Sequence, residues 1–403
     1  MGEVIYLDNA ASMPMCEQAR SAMLEVIARG LDAANPSSPH RPGQSVRRLI
    51  DESRETAAEL LGASPGEILF TSGGTESANL GLIGAARAMR REQGRHGVVV
   101  SSIEHHAVLE AAAHLEEEGF AVERAACDGR GVVTPDAVAY ALDRLAARGA
   151  RPAVVAVMLA NNEVGTLQPV AQIAEVARRA GALMLTDAVQ GPFCEALDVR
   201  RLGCQVMALS AHKFGGPKGA GLLYVERGVP FDPILFGGGQ ERMLRPGTEN
   251  VAGIAGMAAA LSWARESREA IEAHKRALEE RLLSRLFREV AGLEVNGAGA
   301  PRVPGLVSLY VPGVEAETLL VELDMNGVAC SYGAACTAGS LVPSHVLRAM
   351  GLPEGRVRSS IRVSIGPFNT PDEINEASER IAGAVRRLRE AGDRAAAAGV
   401  NKP

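Results

Sequence analysis

The sequence predicts an α/β protein with a mostly parallel sheet covered by helices on both faces, joined to a smaller α+β domain. Between about residues 50 and 255, short apolar runs alternate with longer helical patterns, as in βαβ units. The apolar runs are nearly continuous, which is typical of strands buried on both faces. Beyond about residue 260 the strands become fewer, shorter and more polar. We therefore predict a large domain over 16–260 and a small domain from 1–15 and 261–403.

Six strands are predicted in the large domain. In order they are EILFTS (67–72), GVVVSS (97–102), PAVVAVMLA (152–160), ALMLTDA (182–188), VMALSA (206–211) and GLLYVE (221–226). The helices between them include ESANLGLIGAARAMRREQG and PVAQIAEVARRAG, each closed by a glycine after a charged last turn. The small domain is predicted to begin with a long charged helix, followed by the strand VSLYV, the helix ETLLVELDMNG and the strands VAC and SIRVSIG.

Composition and charge exclude several classes of function. The chain has 403 residues, of which 47% are hydrophobic and 22% charged, as in soluble globular proteins. A net charge of −6 without a basic stripe predicts no direct nucleic-acid partner. The sequence contains neither an apolar run long enough for a membrane span nor a signal-sequence pattern at its start, so we expect no membrane association and a cytoplasmic location.

The six cysteines are scattered without a CxxC pair, so we predict neither a zinc site nor, in a reducing compartment, a disulfide framework. No other metal site is expected. Four of them are interpreted as small core residues: Cys16, Cys127, Cys194 and Cys204. Cys330 lies in the apolar run VAC, whereas Cys336 lies in YGAACTAGSLVPS, a loop of small residues with little to pack.

Ligands of open α/β sheets bind at the carboxyl ends of strands, and the predicted strand ends carry polar residues. After EILFTS come Gly73, Gly74 and Thr75 at a helix start, where backbone amides and a hydroxyl can bind phosphate. Alone, such residues are as often a turn with an N-cap. The strand ALMLT ends in Asp187, with Gln190 nearby. A buried acid needs a cationic partner, such as a protonated pyridine nitrogen, or else Asp187 caps the following turn.

The strand VMALS ends in Ser210 and leads into His212 and Lys213. The chain has only four lysines, and two of them, Lys213 and Lys218, lie in this loop. Burial disfavours the charged form of a lysine, which makes Lys213 a candidate nucleophile for a Schiff base, whereas Lys218 is interpreted as an exposed loop residue. A phosphate site, an acid and a Schiff-base lysine at strand ends of one sheet match the requirements of pyridoxal 5'-phosphate (PLP).

Two further strand ends complete the candidate site. GVVVSS is followed by His105 and His106, and an imidazole at this position could stack on a flat cofactor and transfer protons. PAVVAVMLA is followed by Asn161 and Asn162, whose amides could reach the phenolic oxygen of PLP.

In its motifs the chain closely resembles the cysteine desulfurases of the nitrogen-fixation and iron–sulfur-cluster type, in the class V aminotransferase superfamily. Eleven motifs occur in the family's order over nearly the whole chain: YLDNAAS, NPSSPHRPGQ, FTSGGTES, EHHAVL, NNEVGTLQP, TDAVQ, SAHKFGGPKG, GGGQERMLRPGTEN, GAACTAGS, PSHVLRAMG and SSIRVSIG. The resemblance implies PLP fold-type I, in which a large domain has a mostly parallel seven-stranded sheet flanked by helices and a small α+β domain carries the nucleophile cysteine loop.

The resemblance also implies a role for each candidate residue. Lys213 would form the Schiff base with PLP, Asp187 would keep the pyridine nitrogen protonated, and His105 would stack on the ring and transfer protons. The other implied cofactor-binding residues are Gly74, Thr75, Asn162, Gln190, Ser210, His212 and, from the other subunit of a homodimer, Thr248.

Arg362 and Asn162 would bind the substrate L-cysteine, since a planar guanidinium can hold both oxygens of a carboxylate. Without the resemblance, the alternation of Ile361 and Val363 with Arg362 would favour a side chain on the wet face of a half-buried strand. Cys336 would take the substrate sulfur as a persulfide, with release of alanine, and pass it to acceptor proteins such as an iron–sulfur scaffold.

The nucleophile loop departs from the family, which usually has Ser at the positions of Ala334 and Ala338. The sequence leaves three alternatives to a cysteine desulfurase. A selenocysteine lyase or another PLP-dependent enzyme of the superfamily is one, and a catalytically idle scaffold is another, against which the presence of Lys213, Asp187 and His105 argues. The third, a Rossmann dehydrogenase, is set aside because no GxGxxG follows the first strand.

Overall fold

The computed structural model describes residues 4–194, 197–333 and 343–397. Its strands are β1 (Ile5–Tyr6), β2 (Ile68–Thr71), β3 (Gly97–Ser101), β4 (Ala121–Ala125), β5 (Pro152–Ala156), β6 (Leu183–Asp187), β7 (Val206–Ser210), β8 (Gly221–Val225), β9 (Glu294–Asn296), β10 (Leu306–Tyr310), β11 (Val328–Ala329) and β12 (Ser360–Ser364). Its helices are α1 (Glu17–Ala28), α2 (Arg41–Leu61), α3 (Gly74–Gln93), α4 (His106–Glu117), α5 (Pro135–Ala147), α6 (Val170–Arg179), α7 (Val199–Leu202), α8 (Val251–Glu289), α9 (Ala316–Met325), α10 (His345–Ala349), α11 (Glu354–Arg358) and α12 (Pro371–Ala397).

The central sheet has seven strands in the order β2-β8-β7-β6-β5-β3-β4. Neighbours from β4 to β7 are parallel, whereas β8 is antiparallel to both β7 and β2. Along β3, Val99 packs in one apolar cluster, and Val98 and Val100 pack in another. Alternate side chains are therefore buried on opposite faces, which confirms the predicted mostly parallel sheet covered on both sides.

The six predicted strands of the large domain correspond to β2, β3 and β5 to β8. The seventh strand, which the resemblance implied, is β4; it was not located in the sequence, because AVERA places Glu123 and Arg124 in the middle of the strand. Glu123 is nevertheless buried, and it forms ion pairs with Arg144 and Arg148, 3.1 and 2.9 Å away. This partnering lets a charged segment occupy the edge of the sheet.

The small α+β part contains an antiparallel sheet in the order β12-β10-β9 and a parallel pair of β1 with β11. Its own apolar cluster includes Leu7, Leu282, Leu309, Val363 and Ile381, so the N-terminal strand packs with the C-terminal half of the chain. The predicted domain boundaries stay a prediction, and the one at residue 260 falls within α8. None of the described helices is both long and apolar enough to cross a membrane.

Candidate functional site

A cavity of about 310 Å³ lies where the central sheet meets the small α+β part. Its volume is within the usual range of small-molecule sites. Ten of the predicted site residues line it: Gly74, Thr75, His105, Asn162, Asp187, Gln190, Ser210, His212, Lys213 and Arg362. Most of them lie at or just after the carboxyl ends of β2, β3, β5, β6 and β7, which is where open α/β sheets bind ligands.

One end of the cavity is formed by the first turn of α3. A Cβ atom at Gly74 would lie 3.0 Å from Val189 Cγ2 and 3.2 Å from Ser210 Cβ, so glycine allows this turn to pack closely on the neighbouring strand ends. The first N–H groups of a helix lack intrahelical partners, and together with the helix dipole they attract anions. Thr75 and Ser210 add hydroxyl groups at this end of the cavity.

The cavity also contains an amine and a buried acid. Lys213 Nζ donates hydrogen bonds to the carbonyl oxygens of Ala10 and Ala11, at 2.6 and 3.0 Å. Asp187 Oδ1 accepts from the Val189 backbone N–H at 2.9 Å. Burial raises the pKa of Asp187 to about 6, although the Val189 N–H and the charge of Lys213 act in the opposite direction. Such an acid is suited to a cationic partner within the cavity.

His105 is held in its neutral form at the start of α4. Burial lowers its pKa to about 4, and the charges of Lys213, His106 and His345 act in the same direction. Its Nδ1 accepts a hydrogen bond from the Ala107 N–H at 3.0 Å, so the proton of the neutral ring lies on Nε2. The imidazole therefore has a fixed tautomer, with Nε2 as the atom that can deliver a proton.

His212 is neutral for a similar reason. Burial lowers its pKa to about 4, helped by the charges of Lys213 and Lys218. Its Nδ1 lies 3.3 Å from Ser12 Oγ. A neutral imidazole at this position can take part in hydrogen bonding without adding a second positive charge beside Lys213.

Arg362 lies on β12 with only 2% of its surface exposed, so the alternative of a solvent-facing side chain is wrong. Its guanidinium donates to Asp8 Oδ1 and to the Asn162 carbonyl oxygen, each at 2.8 Å. Among the described residues, its Nε has no acceptor. The alternating pattern of β12 suggested one solvent-facing side, but this strand is buried on both faces. Arg362 can be buried there because Asp8 balances its charge.

Residues 8–12 form a wall of the cavity that was not predicted. The Ala10 carbonyl oxygen accepts from Gln190 Nε2 at 2.9 Å as well as from Lys213. Asp8 contacts Arg362, and Ser12 contacts His212. The motif YLDNAAS could have indicated that this segment belongs to the site, since an acid and an amide follow a short apolar run. Only the tertiary fold shows which site residues they contact.

Two predicted residues are not among those lining the cavity. Thr248 is exposed and lines a separate hollow with residues such as Ser72 and Arg245, so its contribution across a homodimer stays a prediction. Cys336 lies outside the described residues, as do Ala334 and Ala338.

The donor set of the cavity fits PLP. A Cβ at Gly74 would crowd the anion-binding end, and the buried Asp187 can pair with a protonated pyridine nitrogen. Lys213 supplies the amine, and a neutral His105 lines the same cavity. Phosphate, pyridine and aldehyde groups of one small molecule would each meet a suitable partner.

Comparison with known proteins gives the same result. Residues 5–376 match the family model "Aminotransferase class-V". The chain is 42% identical to an IscS-like cysteine desulfurase of Mycobacterium tuberculosis, covering 98% of this chain and 99% of that protein. It is 39% identical to the cysteine desulfurase IscS of Methanosarcina thermophila, covering 96% and 93%. A solved structure of a NifS-like protein superimposes with a TM-score of 0.86 at 33% identity, covering 95% and 100%.

The fold, the cavity and these similarities agree with the motif order in the sequence. This chain belongs to the class V aminotransferase family and, within it, to the PLP-dependent cysteine desulfurases.

Proposed function

We propose that this enzyme converts L-cysteine to L-alanine and transfers the sulfur to its own Cys336 as a persulfide. The observation that carries the proposal is the single cavity in which the Lys213 amine, the buried Asp187 and an anion-binding helix start face one another. Of the alternatives, an idle scaffold would have no need to bury an acid and an amine together. The same cavity would serve a selenocysteine lyase. The experiment below therefore compares L-cysteine with L-selenocysteine as the substrate.

Bound PLP supplies an electron-withdrawing ring that stabilises negative charge at the substrate α-carbon. Lys213 would hold the cofactor through its amine. Asp187, ionised above its pKa of about 6, would pair with the protonated pyridine nitrogen. Gly74, Thr75, Ser210 and His212 would bind the phosphate, and Gln190 and Asn162 would contact the ring and the substrate.

Proton transfer is the role of His105 and Lys213. His105 keeps a proton on Nε2 at neutral pH, because its Nδ1 already accepts from Ala107 and its pKa is about 4. Arg362 binds the substrate carboxylate, and its buried Nε is available for this contact among the described residues. Together these groups orient the α-carbon of L-cysteine toward the atoms that move its proton.

Cys336 acts as the sulfur nucleophile. Its thiolate attacks the substrate sulfur, and a new S–S bond forms as the C–S bond breaks. The electron pair of the C–S bond stays on carbon and takes up a proton, so the products are alanine and a Cys336 persulfide. Cys204 and Cys330 are poor candidates for this role, since burial raises the pKa of each thiol to about 12.

We also propose two protein partners, a sulfur acceptor and a second copy of the chain. Cys336 passes its sulfur to an acceptor protein such as an iron–sulfur scaffold in the cytoplasm. In a homodimer, Thr248 of one subunit would contact the phosphate bound by the other, which agrees with the exposure of Thr248 and its absence from the residues that line the cavity of its own chain.

The test uses purified wild-type protein with L-cysteine and a thiol reductant under anaerobic conditions. We expect equimolar alanine and sulfide from a protein with the visible absorbance of bound PLP. Lys213→Ala should lose the covalently bound cofactor, whereas Cys336→Ser should keep the cofactor absorbance and release no sulfide. Sulfide release by Cys336→Ser at the wild-type rate would contradict the role of Cys336. In a parallel assay with L-selenocysteine, release of selenide by an enzyme that releases no sulfide from L-cysteine would favour a selenocysteine lyase.

A further inference from the structure

A buried carboxylate contacts the residues on both sides of the segment 334–342, which carries Cys336. Glu163 is 2% exposed, and its Oε2 accepts a hydrogen bond from the Ser344 hydroxyl. A Cβ atom at Gly333 would lie 2.8 Å from the same oxygen and 3.2 Å from Ser344 Cβ. The backbone at Gly333 and the side chain of Ser344 therefore meet at Glu163.

The turn that holds Glu163 is itself fixed. The backbone N–H groups of Glu163 and Val164 both donate to Asn161 Oδ1 at 2.9 Å, and Asn161 Nδ2 donates to the Ile103 carbonyl oxygen at 3.0 Å. The residue between, Asn162, lines the cavity and accepts from Arg362 through its carbonyl oxygen. These bonds use the backbone of Glu163 and the side chain of Asn161, so the turn and its contact with Arg362 do not depend on the Glu163 carboxylate.

A second contact joins the start of α10, next to Ser344, to the turn that follows β3. His345 Nε2 donates to the carbonyl oxygen of Glu104 at 2.9 Å, one residue before His105. The ring of His345 packs against that of His106, with centroids 4.7 Å apart. The start of α10 is therefore joined to the turns that follow both β3 and β5.

Glu163 also has an unsatisfied oxygen. Its Oε1 is buried without a hydrogen-bond donor among the described residues, and it lies 3.9 Å from His345 Nδ1. Burying a carboxylate with incomplete partnering is unfavourable, so a side chain of this kind is not explained by fold stability alone.

We propose that Glu163 is a positioning residue for sulfur transfer. By contacting Gly333 and Ser344 it sets where the segment 334–342 begins and ends relative to the cavity, and fixed ends reduce the positions available to a chain segment between them. The inference rests on the proposed function, in which Cys336 is the sulfur acceptor. Glu163 acts through Cys336, so its loss should affect sulfur transfer and leave substrate binding intact.

The first test compares Glu163→Ala, Glu163→Gln and, as a matched control, Glu123→Ala, which removes a buried carboxylate of the edge strand β4. In single turnover with L-cysteine, we expect Glu163→Ala to slow persulfide formation about tenfold or more, because small misplacements of reacting groups have effects of this size. The change in cofactor absorbance on adding L-cysteine should remain. Glu163→Gln should recover most of the rate, since its amide oxygen can accept from Ser344.

A second readout does not depend on turnover. The rate of Cys336 alkylation by iodoacetamide, followed by peptide mass spectrometry in resting enzyme, should rise about threefold or more in Glu163→Ala and stay unchanged in Glu123→Ala, since accessibility governs thiol reaction. Ser344→Ala should give the same rise if Glu163→Ala fails to fold. Its matched control is Thr134→Ala, which removes only an N-cap of α5.

The outcomes separate the two proposals. Unchanged alkylation and unchanged persulfide formation in the Glu163→Ala and Ser344→Ala enzymes would overturn the positioning role. An equal loss of rate in Glu163→Ala and Glu163→Gln would also overturn it, because the retained acceptor should restore function. A wild-type enzyme that releases no sulfide would contradict the proposed function, while the alkylation rates would still decide whether Glu163 positions the segment.

Discussion

Burial decides the charge of several side chains at the cavity. Glu104, next to His105, is fully buried at the end of β3, and burial raises its pKa to about 8. Its Oε1 accepts from the Ser101 hydroxyl and the Met158 backbone N–H, while Oε2 has no partner among the described residues. At neutral pH the side chain is therefore a neutral acid beside a neutral imidazole.

Because Glu104 is protonated in the folded protein at neutral pH, we predict that it makes stability depend on pH. The pKa of Glu104 rises from 4.5 in the unfolded chain to about 8 in the fold, so unfolding releases a proton between these values. The stability contributed below pH 4.5 is lost as the pH rises through 8. Relative to Glu104→Gln, the wild type should lose about 1.4 kcal/mol of unfolding free energy per pH unit within this window.

Denaturant unfolding of both proteins at pH 5, 6, 7 and 8 measures the difference. Glu104→Gln keeps an oxygen acceptor for Ser101 and Met158, so it serves as the uncharged reference. Parallel pH profiles for the two proteins would show that Glu104 titrates normally and would contradict its assignment as a neutral acid.

Between elements, glycines set how closely the start of α3 approaches the strands beside it. Gly221 of β8 faces this turn, and a Cβ atom there would lie 2.6 Å from Gly73 Cα and 2.6 Å from Thr71 Oγ1. Backbone at such a distance cannot move aside without shifting the helix start. The anion-binding end of the cavity therefore depends on a residue in a strand that contributes no group to the ligand.

Gly221→Ala should weaken PLP retention about tenfold, because overpacking by one methyl group is unfavourable by roughly 1–3 kcal/mol and shifts the turn that binds phosphate. Dialysis against increasing volumes of buffer, followed by absorbance, measures the retained cofactor. Gly355→Ala is the control, since an added Cβ there meets nothing within 4 Å. Equal retention in the two variants would show that the helix start tolerates the displacement.

Much of the fold could be predicted from local patterns. The buried strands read as continuous apolar runs, and glycine, acid and lysine at their ends marked the cavity. The edge strand β4 was missed because Arg144 and Arg148 on α5 compensate its buried Glu123, a relation that is not visible in a short window. Arg362 was ambiguous for the same reason, since its partner Asp8 lies 354 residues away.

For the whole molecule, we expect a second copy of the chain to bind at the loop before α8. The loop before α8 exposes Phe236 and Met243, 84% and 72% accessible, and leads to the exposed Thr248. An interface at this loop would remove these apolar side chains from water. A dimer formed through this loop would bring Thr248 near the second subunit's cavity, as the predicted cofactor contact requires.

We expect light scattering to give twice the chain mass of 42.2 kDa. Thr248→Ala should remain dimeric and retain PLP about tenfold more weakly, since a hydrogen bond to a charged group contributes roughly 1.5–3 kcal/mol. Phe236→Asp should shift the equilibrium toward monomer and weaken retention as well. A monomeric wild type with tightly bound PLP would contradict the contribution of Thr248 from a second subunit.

The wall formed by residues 8–12 has a consequence for synthesis on the ribosome. All seven strands of the central sheet, and the carbonyl groups that Lys213 contacts, have been made once β8 has emerged. Asp8 and Ala10 leave the ribosome first, yet their partners Arg362 and Ser364 are made 354 residues later. Since domains fold as units during synthesis, we expect the nascent chain to have its proposed cofactor lysine long before its proposed substrate site, so that amino-acid binding begins only when translation is almost finished.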